Sequence, residues 1–385
     1  MKNKNMKKTW IVIGIILVLV LVTILVIVET KKRPKEIKIG AILPLTGDAA
    51  LYGQNIKKGI DLATAEINQK GGIHGAKITV IYEDSKANPT EGVSAFNQLV
   101  DIYGVPVVIG DAVSSVTLAI APIADRKKVV VLSPLSSAPA ITQAGDFIFR
   151  NVPSDLFGGR VAAYFAARDQ GWKSLAILYA NNDFGVGLKE VFSKWVKSLG
   201  SKIVASEAYE QGNTDFRTQL IKIKQANPDA IFLVGYREAP QILIQAKELG
   251  VKSYLLGTGL LEDPKIIDLA KQASEGVFFT QLQYTPDSSE QDVKQYADNF
   301  KNRYGSKADI IAAYGYDAMK VLAFAMGKSD LSPEKIKEEL YKVKDFKGVT
   351  GEISFDENGD VIQPMGVKII KNGVFVWYKR SILIN

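Results

Sequence analysis

Short apolar runs alternate with amphipathic stretches along most of this 385-residue chain, and this rhythm limits the folds open to it. The stretch between the first two runs has apolar side chains at spacings of four, three and four, which predicts a helix with one buried face. These side chains are those of Ile56, Ile60, Ala63 and Ile67. Strands alternating with such helices form parallel, doubly wound sheets, so the fold class is α/β. The predicted strands are IKIGAIL, KITVIYED, VPVVIG, VVVLSP, SLAILYA, AIFLVG, SYLLGT and GVFFTQ.

Two of the predicted strands end in small hydroxyl-bearing side chains. They lie in VIGDAVSSVT at 108–117 and in VLSPLSSAP at 131–139. Ligands of open parallel sheets bind beyond the carboxyl ends of the strands, where hydroxyls and free N–H groups hold a small polar ligand. A second interpretation, that these serines cap the helices that follow, stays open. The serines concerned are Ser114, Ser115, Ser136 and Ser137.

The composition excludes several kinds of chemistry. The chain has no Cys, which rules out disulfides, thiol nucleophiles and thiolate metal sites. Its one His, His74, lies in the glycine-rich turn GGIHGAK, so His-dependent triads and multi-histidine metal sites are excluded by number. The acidic stretch at 356–360 predicts a hairpin turn at Asn358-Gly359 rather than a calcium loop. We therefore predict no enzyme activity, no cofactor and no metal.

The net charge of +7 belongs mostly to one end of the chain. Residues 1–36 contain eight Lys or Arg and two Glu and carry +6 of it, which leaves +1 for the rest. The basic balance therefore predicts no nucleic-acid-binding face.

A continuous apolar segment runs from Trp10 to Val28 without a charge. At about 1.5 Å per residue, it nearly spans a bilayer core of roughly 30 Å. It exceeds the usual apolar region of a signal peptide, and no A-x-A-like cleavage site follows it. We predict an uncleaved N-terminal membrane anchor, with a cleaved signal segment as the alternative. Four basic residues on each side of the segment leave its orientation open.

Seven segments in one order and spacing resemble a known family. They are IGAILPLTGDAALYGQNIKKGIDLATAEIN, GGIHGAKI, VVIGDAVSSVT, VLSPLSSAPAIT, YANNDFGVG, PDAIFLVGY and FKGVTGEISFDENGD. Over about residues 37–378 the chain resembles the extracytoplasmic solute-binding proteins of branched-chain amino acid ABC transporters, which have the type I periplasmic-binding-protein fold. The resemblance implies two α/β lobes joined by three crossovers, with the ligand buried between them on closure.

The resemblance also implies a domain division and a function. Residues 1–36 form the anchor or signal segment and linker, residues 37–154 with 286–346 the first lobe, and residues 155–285 with 347–385 the second. The protein is expected to capture a small solute, an amino acid or a related small carboxylate or amide, outside the membrane. It would deliver this solute to the transporter permease. The alternative is a ligand-binding sensor subunit that signals through a partner membrane protein.

The family pattern places the ligand-binding residues. In the first lobe, the hydroxyl and backbone groups that take the ligand carboxylate fall on Ser114, Leu135 (backbone), Ser136 and Ser137. Tyr52 matches a position that packs on the ligand side chain. In the second lobe, Tyr236 matches a tyrosine that faces the cleft. Phe184 lies where the amino-acid binders often have tyrosine, so it can stack on a ligand but cannot donate a hydrogen bond.

The chain departs from the family pattern at LGTGLLEDP. Gly259 stands where the amino-acid binders tend to have a carboxylate for the ligand α-ammonium, with Glu262 and Asp263 just beyond it. A buried ammonium without a partner is very costly. Either a shifted acid takes this role or the ligand has no α-ammonium. The sequence names neither the solute nor the oligomeric state.

Overall fold

The structure is a computed structural model that describes residues 36–47, 49–283 and 290–382. The predicted membrane anchor lies outside the described residues. In these three ranges, no helix is both long enough and apolar enough to cross a bilayer.

Five strands form the first sheet: β1 (Glu36–Leu43), β2 (Lys77–Asp84), β3 (Val107–Gly110), β4 (Val130–Ser133) and β5 (Ile148–Arg150). All are parallel and lie in the order β2-β1-β3-β4-β5. The central strands β3 and β4 are buried along their whole length, as expected when helices cover both faces. The four strands predicted in this half are confirmed. The prediction lacks β5, because three residues carry too little pattern.

Seven strands form the second sheet, and two more form a separate antiparallel ribbon. The sheet contains β6 (Ser174–Ala180), β7 (Lys202–Tyr209), β8 (Ala230–Val234), β9 (Tyr254–Gly257), β10 (Phe278–Leu282), β13 (Met365–Lys371) and β14 (Val374–Lys379), and the ribbon contains β11 (Phe346–Gly348) and β12 (Gly351–Ile353). The sheet order is β14-β13-β10-β9-β8-β6-β7. Neighbours from β6 to β10 are parallel, as predicted.

The edge of the second sheet adds an antiparallel part that the predicted sheet lacks. β13 pairs antiparallel with β10 and with β14. Asn372 and Gly373 connect β13 to β14 with φ values of 55° and 68°. Two residues with positive φ form the type I′ turn of a β-hairpin, so the last two strands must run in opposite directions.

Eleven α-helices occur in the part of the chain that the structure describes. They are α1 (Ala50–Gln69), α2 (Pro89–Asn97), α3 (Ser114–Lys127), α4 (Asp155–Tyr164), α5 (Asp183–Ser198), α6 (Arg217–Ala226), α7 (Ala239–Glu248), α8 (Pro264–Ala270), α9 (Gln291–Tyr304), α10 (Ile310–Met326) and α11 (Pro333–Tyr341). The predicted face of α1 is confirmed, since Ile56, Ile60 and Ala63 are fully buried and Ile67 packs at the edge of the same core.

The chain passes between the two sheets three times. It leaves the first sheet after β5, returns after β10 so that α9, α10 and α11 pack on the first sheet, and then joins the second sheet again at β13. The predicted limits give residues 347–385 to the second lobe. However, Val349, Ile353, Phe355 and Val361 still belong to the core of the first sheet. The lobe limits themselves stay a prediction.

A buried ion pair fixes the chain where it leaves the first sheet. Arg150, at the end of β5, is fully buried and binds Asp360 through two hydrogen bonds of 2.6 and 2.8 Å. Two further N–H groups of Arg150 donate to the Ala138 carbonyl and to Thr142. The predicted turn at Asn358-Gly359 presents Asp360 to this pair, because Asp356 and Asp360 close the turn through a 2.9 Å backbone hydrogen bond. The acid of this turn therefore neutralises a buried arginine.

Helices α1 and α10 cross so closely that glycine is required at the contact. A Cβ atom on Gly315 of α10 would lie 2.3 Å from the carbonyl oxygen of Ile56 in α1. A Cβ on Gly59 of α1 would lie 1.9 Å from the carbonyl oxygen of Ala312. Both obstacles are backbone atoms, which cannot move without shifting a whole helix.

We expect Gly315→Ala to lower the free energy of unfolding by about 2 kcal/mol or more, because overpacking of this kind typically costs 1–3 kcal/mol. Urea unfolding followed by circular dichroism measures the change. Gly327→Ala, at the end of the same helix, is the control, since its nearest obstacle lies 3.3 Å away. Equal stabilities of the two variants would contradict the close crossing.

Candidate ligand-binding site

A cavity lies between the two sheets, at the carboxyl ends of their parallel strands. Segments that follow β3, β4 and β5 line it from the first sheet, and segments that follow β6, β8 and β9 line it from the second. The centres of water molecules could occupy about 110 Å³ of this cavity. This is room for several water molecules, and so for a small organic ligand.

The structure brings together seven of the eight predicted site residues around this one cavity. They are Tyr52, Ser114, Leu135, Ser137, Phe184, Tyr236 and Gly259. These residues come from six separate loops and helix starts, and only the strand pairing gathers them.

The serine clusters divide into two kinds. Ser136 is fully buried and does not line the cavity, because its hydroxyl donates to the Asp111 carbonyl at 2.8 Å and lies 2.8 Å from the Thr117 hydroxyl. Its backbone N–H donates to the Ser133 hydroxyl, which also binds the Asp111 carbonyl. These two serines therefore hold the ends of β3 and β4 together, and the predicted ligand contact of Ser136 finds no support here.

Ser114 and Ser137 face the cavity. Ser114 is the first residue of α3, and its hydroxyl accepts a 3.2 Å hydrogen bond from the Ala138 N–H. It is not the N-cap, which is Val113, and no side chain caps this helix. The backbone N–H groups at the start of α3 thus lie at the cavity wall, where they favour an anion.

Three aromatic side chains meet across the cavity. The rings of Tyr52 and Tyr236 are 6.3 Å apart, and those of Phe184 and Tyr236 are 5.2 Å apart. Burial raises the pKa of both tyrosines above the ordinary value, so both keep their O–H donors at neutral pH. The trio connects the first-sheet side of the cavity to the second.

The acids expected near Gly259 are engaged elsewhere. Glu262 forms an ion pair with Lys368 and accepts a 2.8 Å hydrogen bond from the Gln281 amide. That same amide donates to the Gly259 carbonyl, and a Cβ on Gly259 would lie 2.8 Å from Gln281 Oε1. Asp263 caps α8 through the Lys265 N–H. Neither acid lines the cavity.

The sequence prediction missed Asp155, the one acid among the described residues that line the cavity. It is the first residue of α4 and is nine-tenths buried. The Ser137 hydroxyl lies 2.9 Å from its Oδ2, and its own N–H donates to the Ser137 carbonyl. Burial raises the pKa of Asp155 to about 7, against the opposing effects of Ser137 and of the Arg150 charge. It lies just beyond β5, and because that strand is too short to be predicted, the sequence contains no strand end that points to Asp155.

Known proteins share this fold and much of this sequence. A protein-family model described as "Periplasmic binding protein" matches residues 36–373. A leucine-, isoleucine-, valine-, threonine- and alanine-binding protein of Pseudomonas aeruginosa is 32% identical over 350 residues, which cover 90% of this chain and 91% of the relative. The crystal structure of a leucine binding protein from Thermotoga maritima is similar, with a TM-score of 0.83, 34% identity, and coverage of 89% of this chain and 97% of that one.

A second solved structure is similar to the same extent. It is the branched-chain amino acid transporter substrate binding protein of Streptococcus pneumoniae in complex with isoleucine. It has a TM-score of 0.81 and 30% identity, and the match covers 89% of this chain and 98% of that one.

We expect Asp155→Asn to stabilise the ligand-free protein more at pH 8 than at pH 4.5. The pKa of Asp155 is raised on folding, so the wild type loses stability as pH rises from about 4, the unfolded value, to about 7. The side-chain amide of the Asp155→Asn variant carries no charge at any pH in this range, so the variant does not lose stability in this way. The difference in unfolding free energy should change by up to about 4 kcal/mol, because a pKa difference of one corresponds to about 1.4 kcal/mol.

Urea unfolding of both proteins across this pH range measures the difference. Asp183→Asn is the control, because Asp183 is also the first residue of its helix but is exposed. A difference that stays constant with pH would show that Asp155 is ionised throughout.

Proposed function

Because the chain belongs to the periplasmic binding protein family, we propose that it captures a small carboxylate-bearing solute between its two sheets and delivers it to the permease of an ABC transporter. As a member of this family it is an extracytoplasmic solute-binding protein and not an enzyme. Relatives named for leucine or isoleucine support a ligand of amino-acid size.

The observation that carries this proposal is the convergence of seven predicted residues on one cavity. Ser114, Ser137 and the N–H groups at the start of α3 would bind the ligand carboxylate from the first sheet. Tyr236 and Phe184 would cover it from the second, with Tyr52 packed against Tyr236. Since the ligand would touch both halves, its binding energy would hold them together and drive closure.

Ser114→Ala and Ser137→Ala should each weaken ligand binding about tenfold to a hundredfold, because a hydrogen bond to a charged group is worth roughly 1.5–3 kcal/mol. A thermal-shift screen against amino acids, amides and aromatic acids supplies the ligand, and calorimetric titration measures the affinity.

Ser136→Ala is the matched control for these variants. Its hydroxyl is buried and holds two strand ends together. We therefore expect a lower melting temperature with little change in affinity. Unchanged affinity in both Ser114→Ala and Ser137→Ala would move the binding site elsewhere.

We further propose that the segment from Trp10 to Val28 stays on the mature protein as a membrane anchor. The length of this apolar run and the lack of a cleavage site after it support the proposal. A binding protein held at the membrane would stay close to its permease.

The intact mass of the protein extracted from membranes should therefore include this segment. N-terminal sequencing gives the same information directly. A mature chain that starts near residue 30 or later would contradict an anchor.

A further inference from the structure

We propose that Gln281 is a further ligand-binding residue, whose side-chain oxygen Oε1 accepts a hydrogen bond from a donor group of the ligand. Glu262 and Lys368 lie behind it as positioning residues. This role rests on the proposed function and deepens it, because it states which kind of polar group this part of the cavity selects.

Gln281 is a buried residue of the cavity wall, with 4% of its surface exposed. It lies in β10 between Thr280 and Leu282, which line the cavity as well. Its amide packs against Gly259, since a Cβ atom on this glycine would lie 2.8 Å from Oε1 and 3.1 Å from both Cδ and Nε2. Gln281 therefore occupies, from a different strand, the space that the acidic side chain of the family pattern would need at position 259.

Three hydrogen bonds fix the orientation of the Gln281 amide. Nε2 donates to the Gly259 carbonyl at 3.2 Å and to Glu262 Oε2 at 2.8 Å, while Oε1 accepts from the Leu282 N–H at 2.8 Å. The opposite orientation would place an oxygen against two acceptors and an NH2 group against an N–H donor. Both hydrogens of Nε2 are therefore used, and the second lone pair of Oε1 is left for a ligand.

An ion pair behind the wall holds the acceptor that orients this amide. Oε1 of Glu262 pairs with Lys368 of β13, and its Oε2 accepts from Gln281. Lys368 is buried, and its Nζ lies 4.7 Å from the centroid of the Trp377 ring. Glu262 does not line the cavity, so it acts on a ligand only through Gln281.

A wall group that accepts but does not donate discriminates between ligands by their hydrogen-bonding groups. A ligand N–H, ammonium or hydroxyl gains a partner at Gln281 Oε1. A ligand carboxylate or carbonyl oxygen in the same place would lose its hydration and face another acceptor. The ligand carboxylate is thereby directed to the N–H groups at the start of α3, which fixes one orientation of the ligand in the cavity.

Three matched ligand pairs test this hydrogen bond, because the members of each pair differ by one donor. The pairs are leucine with 4-methylpentanoate, threonine with 2-aminobutanoate, and 4-hydroxybenzoate with benzoate. In calorimetric titrations, Gln281→Met should bind the donor-bearing member of at least one pair about tenfold more weakly than the wild type does. The member without the donor should bind both proteins alike.

Gln283→Met is the matched control, since Gln283 lies two residues further along the chain, is exposed and does not line the cavity. It should leave all six affinities unchanged. Asp155→Asn is measured in parallel, because this acid of the cavity wall is the rival partner for a ligand ammonium. The proposal is overturned if Gln281→Met affects both members of every pair alike, whatever Asp155→Asn does to leucine.

Two double variants test the positioning role, and they also keep the proposal testable if Gln281→Met does not fold. Glu262→Gln with Lys368→Met retains an acceptor for Gln281 Nε2, whereas Glu262→Ala with Lys368→Met removes it. The preference for the donor-bearing ligand should persist in the first and fall about tenfold in the second, because an unused Nε2 hydrogen lets the amide rotate. Equal preferences in these two variants would show that Glu262 does not orient the amide.

The outcomes separate the role of Gln281 from the proposed function. If Ser137→Ala weakens binding but Gln281→Met does not distinguish the members of any pair, the cavity binds the solute and only the role of Gln281 is wrong. The same holds if the wild type binds only acids without a donor. If no ligand of the pairs or of the wider screen binds, both proposals are wrong.

Discussion

Parallel strand pairing is the constraint on which the rest of this structure depends. Each parallel strand needs a crossover to return the chain to the same end, so helices cover both faces and the central strands become apolar throughout. The loops that follow the strands then gather at one edge of each sheet. Here the two edges face each other, and polar groups of both halves meet between them. A buried strand such as β4 therefore ends in hydroxyls, which satisfy backbone groups at the strand ends and line the cavity between the sheets.

The pattern of apolar residues in the sequence predicted those strands whose burial is visible within a few neighbouring residues. The strands with apolar, β-branched runs were found, because their burial leaves a signal within a few residues. β7 was missed because it is an edge strand whose residues are exposed or half-buried along most of its length, Lys202 and Glu207 among them. The pair of Glu262 with Lys368 joins residues far apart in the chain, and no local pattern could reveal it. The sequence predicted the cluster of serines but could not distinguish its members. Only the structure shows that Ser137 lines the cavity, whereas Ser136 lies behind it and binds the Asp111 carbonyl.

The buried charged and titratable side chains around the cleft are held by ion pairs and hydrogen bonds within the protein. Arg150 is neutralised by Asp360, and Lys368 by Glu262. Asp111, behind the site, is buried and hydrogen-bonded to Ser85, and burial raises its pKa to about 7. Helix N-termini then supply the positive potential at the wall. Such a cleft discriminates between ligands by their charge, because a ligand of the wrong charge loses its hydration on binding and gains no partner.

The three passages of the chain between the sheets also determine when the protein can fold. The first sheet needs the helices at 291–341 and Asp360 to cover and neutralise its core, and the second needs β13 and β14 at its edge. A chain that emerges from the ribosome N-terminus first therefore cannot complete either half until almost all of it has been synthesised. Non-local topologies of this kind fold slowly, because distant segments must meet before burial rewards them. The threading that builds the cleft thus keeps the nascent chain unfolded for longer, which is the state in which a polypeptide passes through a translocation channel.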